Sequence, residues 1–312
     1  MKRQLFNAAL MLALTTGGAQ AQQAAPAGAG EFKAGQPLGA TNEAGTFMPL
    51  SSNVKIYGSF RFAESCTFDP QRNLILAMNA GVANELQEND GYVSLINPDG
   101  SVHTAKWIGA TRDGLTLHHP LGSAIQGNKL YTVDGIMLRT FDLATGQPLE
   151  AIEVTGASFL NGIGVAADGT AYISNTRPPE RIYKVTASGE VSVFVDGAPL
   201  ATPNGVAIDS DGNVVVVNIA SNAVQTFNAA GELINTEHAA ESGNDGLVIT
   251  EDGTKYVSSV RFGSVSRIRP GQAAEVIATG IPSAASMCYD SLQKQLVIPL
   301  NPNDALAFIP LQ

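Results

Sequence analysis

Residues 159–175 read FLNGIGVAADGTAYISN, residues 202–218 TPNGVAIDSDGNVVVVN, and residues 243–259 GNDGLVITEDGTKYVSS. Each stretch is a polar anchor, an apolar run, an Asp-Gly turn and a second apolar run. Asp-Gly tolerates the positive backbone angles of a tight turn, so apolar runs on either side of it mark a β-hairpin. The anchors Asn161, Asn204 and Asp245 lie 43 and 41 residues apart. Each second run ends 14 residues beyond its anchor, at Asn175, Asn218 and Ser259. A repeat of about 40 residues points to a closed ring of β-sheets.

Three weaker copies complete the series. ESCTFDPQRNLILAMN starts on Glu64, LGSAIQGNKLYTVD on Leu121 and ASMCYDSLQKQLVIPL on Ala285. A second hairpin follows most copies, as in RIYKVTASGEVSVFV (181–195) and AVQTFNAAGELINTE (223–237). Four strands per repeat make one blade, and six repeats make a six-bladed, all-β propeller. The last copy runs out after ALAFIPLQ, one strand short, while NVKIYGSF (53–60) is a spare strand ahead of the first. The N-terminal strand is therefore expected to complete the last blade and close the ring, shielding open sheet edges.

The propeller is expected over residues 46–312. Ahead of it, Lys2 and Arg3 precede an apolar run from Leu5 to Leu14, and Ala19-Gln20-Ala21 has the form of a cleavage site. Residues 1–21 thus read as a secretory signal peptide cleaved near Ala21, which implies a secreted or periplasmic protein. Residues 22–45, rich in Ala, Gly, Gln and Pro, read as a flexible leader. The chain carries a net charge of −10. No basic patch offers itself to phosphates, which argues against nucleic acid, and acidity argues against an anionic membrane surface as partner. A small-molecule substrate is the expected partner; the oligomeric state is open.

The anchors begin the innermost strands, so six of them ring one mouth of the central channel. In order they are Glu64, Leu121, Asn161, Asn204, Asp245 and Ala285. Four are oxygen donors, two of them charged. That set suits a hard divalent cation, Ca²⁺ above all, rather than zinc or copper, which favour His and Cys. Gly162, Gly205 and Gly246 follow their anchors and permit close backbone approach at a crowded axis. The competing reading treats Asn-Gly and Asp-Gly as ordinary turn signals. Cys66 and Cys288 lie just after the first and last anchors, in blades adjacent in a closed ring. They are either bridged or two separate buried thiols.

On these anchors the chain resembles the senescence marker protein (regucalcin) and gluconolactonase family of six-bladed lactonases. The resemblance spans about residues 53–312. It implies one catalytic divalent metal, commonly Ca²⁺, held by Glu64, Asn161, Asn204 and Asp245. It further implies hydrolysis of a lactone or related ester, with Asp245 as ligand and general base. The blade-two anchor, where related paraoxonases carry His, is Leu121 here; His118 and His119 lie just before it. Arg177 and Arg261 follow second strands on the anchor side and are candidates for a substrate carboxylate or phosphate, or are plain surface arginines. Asn175 and Asn218 either line the pocket or cap their strands; His118 and His119 either reach the same mouth, with His119 a substrate-binding candidate, or are solvated loop histidines. The loop residues Glu85, Glu88 and Asp90 cover the site or are simply solvated. The alternative function is a non-catalytic binding propeller stiffened by its cation. No Gly-x-Ser-x-Gly elbow, P-loop or dinucleotide fingerprint occurs in the sequence.

Overall fold

The computed structural model describes residues 37–82, 89–109 and 117–311. The expected signal peptide, the leader up to residue 36, and Glu85 and Glu88 lie outside the described residues.

Six antiparallel sheets of four strands follow one another along the chain. Blade one is β4 (Ala63–Asp69), β5 (Leu74–Asn79), β6 (Tyr92–Ile96) and β7 (Val102–Gly109). Blade two is β8 (Pro120–Gln126), β9 (Lys129–Asp134), β10 (Met137–Asp142) and β11 (Pro148–Glu153). Blade three is β12 (Leu160–Val165), β13 (Ala171–Asn175), β14 (Arg181–Val185) and β15 (Val191–Asp196). Blade four is β16 (Pro203–Ile208), β17 (Val214–Asn218), β18 (Ala223–Phe227) and β19 (Leu233–His238). Blade five is β20 (Asn244–Ile249), β21 (Lys255–Ser259), β22 (Ser264–Ile268) and β23 (Glu275–Ala278). Blade six holds β24 (Cys288–Asp290), β25 (Gln295–Leu300) and β26 (Ala305–Pro310). Its fourth strand is β3 (Lys55–Gly58), which pairs with β26 from Ala305↔Gly58 to Phe308↔Lys55. The expected closure by the N-terminal strand is thus observed.

The burial pattern explains why these runs became these strands. The second strand of every blade is almost wholly buried, as in VVVVN of β17 and LILAMN of β5. A sheet covered on both faces needs a continuous apolar run rather than an alternating one. Outermost strands such as β11 and β19 are largely exposed. The core is correspondingly divided. One cluster joins blades one and two through Leu76, Trp107, Leu130 and Phe141. Others join blades two and three, three and four, four and five and five and six. The cluster of Phe68, Ile75, Val297 and Phe308 seals blade six to blade one. At that seam Cys66 and Cys288 form a disulfide between β4 and β24, with their Cα atoms 5.4 Å apart. Of the two readings of the thiols, the bridged one holds.

The structure differs from the expected boundary at residue 45. Within the presumed leader, β1 (Gly39–Thr41) pairs with β2 (Phe47–Pro49) in a hairpin. Composition misleads here because the hairpin is held by backbone bonds rather than apolar burial. Ala40 is its main buried side chain, and the amide of Ser51 just beyond it donates to the Thr279 carbonyl after blade five.

Candidate metal centre

Strand register locates the anchors independently of any sequence alignment. In each blade the residue before the anchor pairs with the last residue of the second strand. These pairs are Ala63↔Asn79, Pro120↔Asp134, Leu160↔Asn175, Pro203↔Asn218, Asn244↔Ser259 and Ala284↔Leu300. Directly after the pair the register shifts in blades one to five. A bulge at this point breaks the strict alternation of a strand and re-aims the side chain it carries.

The inner strands crowd together there. A Cβ added to Gly162 would lie 2.1 Å from the Asn204 carbonyl oxygen, and one on Gly205 would lie 2.5 Å from that of Asp245. Gly122 meets the Asn161 carbonyl in the same way. Asn161, Asn204 and Asp245 therefore each pack their backbone on the glycine of the preceding blade. Ser174 Oγ donates to the Asn204 carbonyl at 2.6 Å, and Ser258 Oγ to the Ala285 carbonyl at 2.7 Å.

Glu64, Asn161, Asn204 and Asp245 are 6, 6, 3 and 6% exposed. Asn204 Nδ2 donates to Asp245 Oδ2 at 3.2 Å, and Asn301 Nδ2 donates to Glu64 Oε2. Three buried oxygens, Asn161 Oδ1, Asn204 Oδ1 and Asp245 Oδ1, have no hydrogen-bond partner. Burial, and next the charge of Asp245, push the Glu64 carboxyl well above the usual range. Burial raises Asp245 to about 7, with the Asn204 amide pulling the other way. Unpartnered acceptors beside two carboxylates that resist ionisation are a site short of positive charge. The donor set fits a hard cation. Among the described residues no group of three or more His, Cys, Asp or Glu could hold a metal, so such a site would have to use the asparagine oxygens.

The remaining candidates divide. Asn175 and Asn218 are fully buried. Asn175 Oδ1 accepts from the Ser158 and Phe159 amides, and Asn218 Oδ1 from that of Ala201. Their groups fasten the loops leading into Asn161 and Asn204. His119 is buried, and its Nδ1 pairs with the Ala80 carbonyl at 2.9 Å. Burial holds its pKa below the ordinary value and so favours the neutral ring; with Nδ1 donating to a carbonyl, Nε2 of that form carries the lone pair. Arg177 is exposed and stacks 4.1 Å over the Phe159 ring. Its charge is a small further contribution, after burial, to the lowered pKa of His119. Arg261 lies 3.7 Å from Glu43, in the turn of the N-terminal hairpin. His118 offers its backbone amide to Asp134, and Asp90 accepts from the Val82 amide.

Sequence reasoning missed Asp134, Glu43 and Asn301. Asp134 ends β9 where Asn79, Asn175 and Asn218 end their strands, so the repeat itself held its signal. Asn301 had no counterpart to align with.

The sequence profile of the SMP-30/Gluconolactonase/LRE-like region matches residues 59–242, more than half of the chain. The protein belongs to this family. The matched stretch contains Glu64, Asn161 and Asn204 and stops just short of Asp245. No curated protein matches this family member in sequence. Among solved structures, a gluconolactonase from Xanthomonas campestris is 17% identical with a TM-score of 0.61, covering 93% of this chain and 99% of its own. A structure described as a candidate gluconolactonase is 16% identical with a TM-score of 0.63, covering 83% and 93%. Virginiamycin B lyase from Staphylococcus aureus is 13% identical with a TM-score of 0.56, covering 83% and 99%. At these identities the likeness is one of fold, and one fold serves more than one chemistry.

Proposed function

We propose that this family member is a divalent-cation-dependent hydrolase of a lactone or related ester. The observation that carries the reading is the set of three unpartnered buried oxygens beside two carboxylates at one mouth of the channel. Glu64, Asn161, Asn204 and Asp245 would hold the ion, and Ca²⁺ suits their all-oxygen character best. A bound cation supplies polarisation of the substrate carbonyl and charge for the developing oxyanion.

The chain's own residues supply the rest. Asn204 Nδ2 holds Asp245 Oδ2, and Asp245 would serve both as ligand and as the base that takes a proton from water. Water attacks the carbonyl carbon, the ring C–O bond breaks, and the proton passes on to the departing alkoxide, leaving a hydroxy acid. Burial raises the proton affinity of Asp245 toward neutrality, where a general base works best; a nearby cation lowers it again. Arg177, over the Phe159 ring, would bind a substrate carboxylate or phosphate. His119 Nε2 would accept from a substrate hydroxyl. Arg261, 3.7 Å from Glu43, would be a second cationic contact for the substrate. Export to the periplasm or outside the cell follows from the N-terminal segment read as a signal peptide.

The test is a panel of lactones and aryl esters assayed with and without chelator, beside Asp245→Asn and Glu64→Gln. Chelator-sensitive turnover lost in both variants supports the reading. Turnover indifferent to chelator, or no turnover on any member, rejects it.

A further inference from the structure

Blade six offers no oxygen at its anchor, because that residue is Ala285. Its contribution to the ring comes one position after the second strand instead. β25 ends at Leu300, and Asn301-Pro302-Asn303 turns sharply as a single 3₁₀ turn. Asn301 is 9% exposed, and its Nδ2 donates to Glu64 Oε2 across the seam between the last and first blades. Its Oδ1 faces Ser283 Oγ at 3.5 Å. The turn is fixed to the segment that leads into Glu64. The Asp304 carboxylate accepts from the Phe62 amide at 2.7 Å, and the Asp304 carbonyl from that of Phe60. Asn301 is thus not a floppy surface amide. It is built against the carboxylate it touches, from both sides of the seam.

We infer that Asn301 is a positioning residue that holds one oxygen of Glu64 and leaves the other as the single oxygen this carboxylate gives to the cation. The inference rests on the cation reading above. A carboxylate free to rotate can embrace an ion with both oxygens or one. A donor fixed on one oxygen removes the first choice and orients the carboxylate before the ion arrives, as outer partners of metal ligands do. One more coordination position then stays open to water or substrate.

The experiment uses the intact chain with Asn301→Ala, and Asn301→Ser as a second variant that keeps a donor on a shorter arm. Folding is checked by thermal melting in chelator. Two readouts follow: Ca²⁺ affinity by calorimetry, and the number of bound waters on Tb³⁺ from its luminescence lifetimes in H₂O and D₂O. In N301A the water count is expected to fall by one, as the freed oxygen closes on the ion. Ca²⁺ affinity is expected to weaken roughly tenfold, and N301S to recover part of both. An unchanged count overturns the inference. A count one higher also overturns it, since Asn301 would then itself be a ligand. Should the wild type bind neither ion, the cation reading falls first and this inference with it; wild-type binding with an unchanged N301A sinks this inference alone.

Discussion

Replacing Asp245 by Asn should change how stability depends on pH, and the size of the change follows from its burial. An unfolded Asp titrates near 3.9. Folded Asp245 is raised to about 7 by desolvation. Because the folded pKa of this acid lies above the unfolded one, the folded state binds more protons in the interval between them. The stability is intact below about pH 4, falls as pH rises through the interval, and levels off above pH 7. Three units at about 1.4 kcal/mol each give a total of about 4 kcal/mol, more than half of it between pH 5 and pH 8. The assay is urea unfolding in chelator at pH 5 and pH 8, for wild type and D245N side by side. The difference between them cancels the groups that do not feel Asp245 and reports Asp245 together with Glu64, whose carboxyl its charge raises. Wild type should lose about 2–3 kcal/mol more than D245N across that range. Saturating Ca²⁺ should restore the wild type at pH 8, by about 3 kcal/mol at a hundredfold excess over Kd, and should not restore the variant. A wild-type-minus-variant difference independent of pH would show that Asp245 is not desolvated, and the reading of a charge-starved ring would be wrong.

Three further outcomes are expected. The disulfide of Cys66 and Cys288 spans 222 residues of sequence, so the double Ala variant should lose up to about 5 kcal/mol of unfolding free energy; urea titration checks it, and a loss below about 1 kcal/mol would mean that the crosslink hardly restricts the unfolded chain. Gly162→Ala drives a methyl onto the Asn204 carbonyl 2.1 Å away; it should destabilise by about 1–3 kcal/mol and weaken Ca²⁺ binding in calorimetry, and normal Ca²⁺ affinity would contradict the packing of anchor on glycine. Arg177→Ala should lower kcat/KM about tenfold for lactones bearing a carboxylate or phosphate while leaving neutral ones unchanged; equal effects on both classes would remove Arg177 from substrate recognition.

The propeller was legible because its physics repeats. Three of the inner hairpins share the Asp-Gly turn, and all six share the doubly covered second strand, so DSDGN and VVVVN expose the period from which the three weaker copies can be aligned. The anchors were legible for the opposite reason, as Glu64, Leu121, Asn161, Asn204, Asp245 and Ala285 depart from one another at a position the repeat makes comparable. What the repeat does not carry stayed hidden. Asn301 acts across the seam between two distant ends of the chain, and nothing local in Asn-Pro-Asn points to Glu64. The β1–β2 hairpin escaped because its backbone bonds leave no apolar pattern. Asn175 and Asn218 were visible as strand-end asparagines, but whether their amides face a pocket or their own loops depends on backbone groups that a sequence does not show.

The central claim is that four anchors form one cation site. Calorimetric titration of Ca²⁺ into chelator-treated protein tests it most directly, with wild type, Glu64→Gln and Asp245→Asn compared under one buffer. One ion per chain is expected in the wild type, with affinity lost or reduced at least a hundredfold in each variant, since each removes one of only two charges in a buried ring. Wild-type affinity retained in both variants, or no binding in the wild type, would contradict it.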